Sequence, residues 1–229
     1  MKLPALALLT SSVFWLSGCE IDTGTSPAHY YDFNQGNQQW QAGFSDYPSD
    51  NASIYQLESG MRNLPTGYTG QGFYIQGMNH SDDLFMYIKR KITGLEPATR
   101  YQLSVSVRFL TDAAANCAGA GGAPGESVYL KFGYASEEPR QAGYYLNVDK
   151  GNQSQDGSNA RVLDHVASSE LSCNGNNFAN KIVSGSGSTP LQFTSNADGS
   201  IWVFLGTDSG FEGLTRLYYR ELELRFTPV

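Results

Sequence analysis

The chain has 229 residues and a formal net charge of −7, with 15 Lys and Arg against 22 Asp and Glu. An acidic chain without clustered cations argues against nucleic acid as a partner. The 14 Tyr and 25 Gly suit strands joined by wide loops, and flat rings also suit the apolar faces of sugars.

Met1 and Lys2 precede an apolar stretch, residues 3–9, that continues less evenly to Leu16. A positive start followed by a short apolar run has the form of a secretory signal peptide. The run is too short and too interrupted to remain in a bilayer as a spanning helix. It ends in Leu16-Ser17-Gly18-Cys19, which resembles the lipobox of bacterial lipoproteins. The resemblance implies that residues 1–18 are removed, that the Cys19 thiol carries a diacylglycerol, and that the new amine is acylated, as by palmitate. Several acyl chains make a stable membrane anchor, each buried methylene adding about 0.8 kcal/mol. In Gram-negative lipoproteins the next residue influences sorting. Glu20 stands where Asp is most associated with inner-membrane retention, which favours the outer membrane, on its periplasmic or surface side. Residues 19–29 then form the lipidated Cys and a Thr-, Ser-, Gly- and Pro-rich tether, and residues 30–229 a single domain.

Beyond the tether, period-two alternation is common and helical periodicity scarce. The spacing predicts strands over 54–57, 73–76, 84–92, 101–109, 128–134, 143–148, 181–184, 191–194, 200–205 and 217–226. The segment 101–109 is the clearest: Tyr101, Leu103, Val105, Val107 and Phe109 share one face, and Gln102, Ser104, Ser106 and Arg108 the other. Many short strands with turn residues between them indicate an all-β sandwich or jelly roll. The segment 151–159, polar and Gly-rich, reads as a loop. With Cys19 lipidated, Cys117 and Cys173 remain, and an oxidising compartment pairs them in one disulfide. Both lie in Gly- and Asn-rich loops, so the bond pins two loops together, worth about 3–4 kcal/mol in the chain-entropy model. A bond across the Gly-rich stretch 118–125 argues for one domain.

Thr93-Gly94-Leu95-Glu96-Pro97-Ala98-Thr99-Arg100-Tyr101 is a turn followed by a strand. Its Gly-Leu-x-Pro-x-Thr-x-Tyr pattern resembles that of galactose-binding-like carbohydrate-binding modules, and of fibronectin type III domains, which are about half as long. In this pattern Pro97 sets the turn and the Tyr101 hydroxyl bonds to nearby backbone, as in a tyrosine corner. Residues 33–46, with Trp40, Gly43 and Phe44, resemble the opening strand and loop of such modules, and 208–222 the closing strand. The resemblance implies a single jelly-roll β-sandwich, a glycan ligand, and a structural calcium near the first and last strands.

Asn79-His80-Ser81-Asp82-Asp83 is the densest polar cluster. Carboxylates are hard ligands suited to calcium, so Asp82 and Asp83 are candidate metal donors, with Asp46, Asp208 and Glu212 as alternative donors at the sandwich ends; the plain alternative is a solvated turn. The candidate sugar-binding residues are Trp40, Tyr47, Tyr68, Tyr144 and Tyr145, which offer rings, and Arg140 and Lys150, which flank the last two and offer hydrogen bonds; Trp40 also suits a place in the core. No motif names a reaction. His80 with Asp82 and Asp83, and Asp164 with His165, are the acid–base pairs to inspect, and no Gly-x-Ser-x-Gly elbow occurs. Tyr129-Leu130-Lys131-Phe132-Gly133-Tyr134 resembles the Tyr-Phe-Lys-Ala-Gly strand of alginate-lyase jelly rolls, but their Arg-rich and Gln-Ile-His strands are missing. The expectation is therefore a non-catalytic glycan-binding lipoprotein. The alternatives are a structural or assembly lipoprotein that docks another envelope protein, and a polysaccharide lyase or hydrolase of jelly-roll type.

Overall fold

The structure is a computed structural model that describes residues 28–173 and 177–229. The expected signal peptide, Cys19 and nearly all of the expected tether lie outside the described residues. The strands are β1 (Ala28–Asp32), β2 (Gln41–Ser45), β3 (Glu58–Asn63), β4 (Gln71–Met78), β5 (Phe85–Ile92), β6 (Arg100–Thr111) and β7 (Val128–Ala135). They continue with β8 (Gln141–Ala142), β9 (Tyr145–Leu146), β10 (Ala160–His165), β11 (Ala179–Gly185), β12 (Leu191–Thr194), β13 (Ile201–Ser209) and β14 (Leu214–Pro228). Short 3-10 turns at Phe33–Gln35 and Ser49–Tyr55 are the helical elements among the described residues.

Two antiparallel sheets form the sandwich. One runs β11-β6-β14-β4-β3, with β12 added to β6 and β1 added to β14; the other runs β10-β7-β13-β5-β2. The alternation in β6 is realised: Tyr101, Leu103, Val105, Val107 and Phe109 are buried between the sheets. A register shift between Tyr219 and Glu221 lets β14 pair β4 along its first half and β1 along its second. That irregularity has the effect of a bulge, which bends a long strand and changes its partner. The turn before β6 closes as expected, although the Tyr101 hydroxyl accepts the bond, from Glu96 N–H at 3.0 Å.

Three expectations need correction. Residues 54–57 do not form a strand, because Ser49–Tyr55 winds into a 3-10 turn that buries Tyr55. The strand expected over 143–148 is only the second arm of a two-residue ladder, β8–β9, which turns at Gly143 with φ of 68°. The tether is shorter than expected: Ala28 and His29 already belong to β1, with His29 paired to Leu224 and its ring edge-on to Phe226. The strands β3 and β10 escaped notice because both are only partly buried and show no clean alternation.

Most of the outer face of the five-stranded sheet is covered, leaving Lys91 exposed at one end. Residues 136–159 fold back over it and bury a second apolar cluster of Phe85, Tyr87, Leu146, Ala160 and Phe204. The rings need room close to the sheet. A Cβ on Gly133 would stand 2.2 Å from the Phe204 ring and 2.6 Å from the Asn159 carbonyl oxygen, so only glycine fits there. Gly133→Ala is expected to destabilise the protein by about 1–3 kcal/mol, the usual cost of overpacking, as measured by urea unfolding.

Cys117 and Cys173 are bonded, with their Cα atoms 5.7 Å apart. Replacing both by Ser is expected to cost about 3–4 kcal/mol and to lower the thermal midpoint by about 10 °C, measurable by calorimetry. An unchanged midpoint would show that the loops are held by other contacts.

Candidate functional site

Two features meet at one end of the sandwich, where the loops gather. The first is a cluster of ions under the 136–159 cover. Lys131 lies on the outer face of β7 and Asp208 on that of β13, diagonal neighbours because Gly206 is the residue directly opposite Lys131. Both side chains are fully buried, and Lys131 Nζ donates to Asp208 Oδ2 at 2.9 Å. Its other bonds go to the Lys150 and Gln155 carbonyls of the cover, each at 3.0 Å. Lys150 descends from the cover to the same Asp208 oxygen at 2.9 Å, with Asp46 at 3.6 Å and Asp83 at 3.7 Å. The Gln153 backbone N–H also donates to Asp208 Oδ2, at 2.8 Å.

Burial lowers the Lys131 pKa, and Asp208 only partly offsets this. Burial also opposes the Lys150 charge, but Asp208, Asp46 and Asp83 together outweigh it and hold its pKa above the ordinary value. Asp46 is pushed up by burial, despite Lys150 and a 2.6 Å hydrogen bond from Ser45. Asp83 rises to about 6: burial drives the shift, Lys150 opposes it, and Asp208, Asp46 and Asp82 add to it.

Of the candidate calcium donors, Asp46, Asp83 and Asp208 are brought together, but around an ammonium. Asp82 is exposed at a left-handed turn, and its carbonyl accepts from Gln153. Among the described residues no group of three or more His, Cys, Asp or Glu side chains is placed to hold a metal ion.

The second feature is a pocket of about 290 Å³ beside the disulfide. Its wall includes the Phe211 ring, Pro124, the Cys117–Cys173 bridge, Thr215 and the Asp112–Arg216 pair. Arg216 donates to Asp112 Oδ2 through both Nε, at 2.8 Å, and Nη2. Burial raises the Asp112 pKa against the opposing pull of Arg216. Thr215 is 5% exposed, and its hydroxyl has no hydrogen-bond partner among the described residues. From this pocket a row of rings and guanidinium groups crosses the larger sheet. Arg216 lies 5.6 Å from the Phe178 ring, Phe178 meets Tyr218 edge-on at 5.4 Å, and Tyr218 meets Tyr74 at 4.7 Å. Arg62 closes the row, 4.0 Å above Tyr74.

The expected sugar-binding residues divide between core, hairpin and row. Trp40 is 1% exposed and packs edge-on against Tyr31, so its ring belongs to the core and not to a platform. Tyr47 is likewise buried, against Tyr55. Tyr68 lies beside the row, its hydroxyl on the Phe178 carbonyl and its ring near Arg220. Tyr144, Tyr145 and Arg140 share the β8–β9 hairpin; Tyr145 is 63% exposed and Arg140 is exposed. Sequence reading missed Asp112, Phe211, Thr215 and Arg216. The only signal was Cys117 and Cys173, which marked the loops that meet there. Of the acid–base candidates, His80 is exposed against Tyr55, whereas Asp164 is bound by Lys181 at 3.0 Å. His165 Nδ1 accepts from Ala167 N–H.

No protein-family model and no curated protein matches the chain. Similar solved structures include the CBM22-1 xylan-binding domain of Paenibacillus barcinonensis Xyn10C, at 12% identity and a TM-score of 0.42 over 89% of this chain and 97% of that one. The K1 cleaved adhesin domain of Lys-gingipain from Porphyromonas gingivalis W83 is similar at 13% identity and 0.41, over 87% and 98%. A family 35 carbohydrate-binding module from Clostridium thermocellum is similar at 10% and 0.33, over 86% and 98%. Likeness at this level assigns no ligand.

The raised Asp83 value has a consequence for stability. A carboxyl whose folded-state pKa exceeds its unfolded value contributes stability that is present below the unfolded pKa and lost as pH rises through the folded one. Asp83 therefore weakens the fold above about pH 6. Relative to Asp83→Asn, the wild type is expected to gain about 1–2 kcal/mol between pH 7.5 and pH 4, after discounting for partial exposure. Paired urea melts at the two pH values check this, and parallel curves would refute it.

Proposed function

We propose that this protein is a lipid-anchored, non-catalytic carbohydrate-binding module that seats a sugar in the pocket beside the disulfide. The supporting observation is the pocket wall, which combines an aromatic ring and a charged pair in an otherwise mostly apolar recess. Sugar hydroxyls both donate and accept. Asp112 accepts, Arg216 donates, and the Phe211 ring offers contact for the apolar side of a pyranose. A few placed polar groups in an otherwise apolar recess are the usual make-up of a small-ligand site. At about 290 Å³ the pocket suits one sugar residue rather than a long chain, and the Phe178–Tyr218 row offers contacts for the next residues of a glycan.

Glycan-array screening of the purified protein, followed by titration calorimetry on any hit, tests this reading. Phe211→Ala is expected to weaken binding at least 10-fold, about 1.4 kcal/mol, while lowering the melting temperature only modestly because Phe211 also packs against the core, and Tyr145→Ala to leave binding unaltered. The reverse pattern would move the site to the β8–β9 hairpin. Absence of binding to every glycan would overturn the carbohydrate reading and leave docking to an envelope protein as its successor.

The anchoring half of the proposal rests on Leu16-Ser17-Gly18-Cys19. Labelled palmitate should enter the wild type but not Cys19→Ser, and fractionation should find the wild type in the outer membrane. Label retained in the variant would refute Cys19 as the lipidated residue.

A further inference from the structure

The carboxylates that sequence reasoning assigned to calcium converge, but their centre already holds a positive charge. Asp46 follows β2, Asp83 precedes β5 and Asp208 lies near the end of β13, so three strands deliver one acidic group each. At their meeting point Lys150 Nζ stands 2.9 Å from Asp208 Oδ2, 3.6 Å from Asp46 Oδ1 and 3.7 Å from Asp83 Oδ1, with the Gly151 carbonyl at 3.4 Å. The donors are all oxygens, the set a hard cation prefers. We propose that the Lys150 ammonium takes the place of a structural divalent cation, so that this end of the sandwich is braced without metal.

Three observations carry the assignment. The first is charge. Three carboxylates face two ammonium groups, Lys131 and Lys150, and a calcium ion would have to sit within contact distance of Lys150 Nζ. The second is geometry. Calcium takes six to eight oxygens at about 2.3–2.6 Å, whereas these oxygens stand at hydrogen-bonding and longer distances from the centre. Two of the carboxylates also carry bonds elsewhere: Asp46 Oδ2 accepts from Ser45, and Asp208 Oδ2 from Lys131 and Gln153 N–H. The third is placement. Lys150 is 5% exposed, lies 5.2 Å from the Phe85 ring, and belongs to the cover itself. An ammonium supplied by the chain ties the cover to the sheet permanently, and no chelator can remove it.

Thermal midpoints of wild type and Lys150→Met, each in chelator and in millimolar calcium, test this. The wild type is expected to melt at the same temperature in both. Lys150→Met is expected to melt about 10 °C lower, from leaving the carboxylates facing one another without their counter-ion. Calorimetric titration of the wild type with calcium runs alongside and decides the matter if the variant fails to fold. No binding there upholds the proposal. Binding that disappears in Asp46→Asn, a wild-type midpoint that falls in chelator, or a folded Lys150→Met that melts with the wild type overturns it.

Discussion

The Asp208 carboxylate is the constraint on which the functional end of this sandwich depends. It sits on the outer face of a sheet, where a strand residue ordinarily meets water, and it is fully buried. A buried charge is tolerated only when paired and hydrogen-bonded, because desolvation costs several kcal/mol per ion. One oxygen of Asp208 accepts from Lys131, Lys150 and the Gln153 backbone. Two of these three partners come from residues 136–159, so the pairing that makes the carboxylate tolerable also holds the cover in place.

The cover has its own apolar reason to stay. Phe85, Tyr87 and Phe204 would otherwise present rings to water on the outer face of the sheet, and Leu146 and Ala160 complete a small cluster over them. Lys89 extends the pinning to the far side of the cover, donating to the Pro139 carbonyl at 2.6 Å and meeting Glu138 at 2.7 Å. The five-stranded face is thereby committed to the protein's own chain. Recesses for a ligand are left to the loops, the outer face of the larger sheet and the short β8–β9 hairpin. The disulfide acts on the same end, drawing the loop after β6 toward the loop before β11 and walling the pocket that contains Asp112 and Arg216.

Strand positions were legible where one face of a strand meets the core and the other meets water. That holds for β6, whose alternation named its buried residues correctly, and for β12, whose ends match the reading residue for residue. Legibility failed for two opposite reasons. In β3, Glu58, Ser59, Arg62 and Asn63 are exposed, so no apolar period marks the strand. In the five-stranded sheet both faces are largely covered, so Lys131 and Asp208 alternate like solvent-facing residues although neither meets solvent. Trp40 carried two readings, a sugar platform and core packing, because its setting among Gly, Asn and Gln looks like a loop; Tyr31 and Phe33 close over it in the core.

What the sequence determined by itself was local or combinatorial: an all-β sandwich from period-two patterning, a tyrosine corner from a turn motif, and a disulfide from the two Cys left once Cys19 is set aside. It also named Asp46, Asp83 and Asp208 among its candidate metal donors, without bringing them to one point. The identity of the cation among them was decided by tertiary structure alone. Lys150 is 58 residues from Asp208 along the chain, and only the folding of residues 136–159 over the sheet sets its ammonium against that carboxylate. The pocket was equally invisible, since Asp112 and Arg216 are 104 residues apart and become neighbours only because β6 and β14 pair. Alternation reports which way a side chain points from its own strand; it does not report what the rest of the chain later places in front of it.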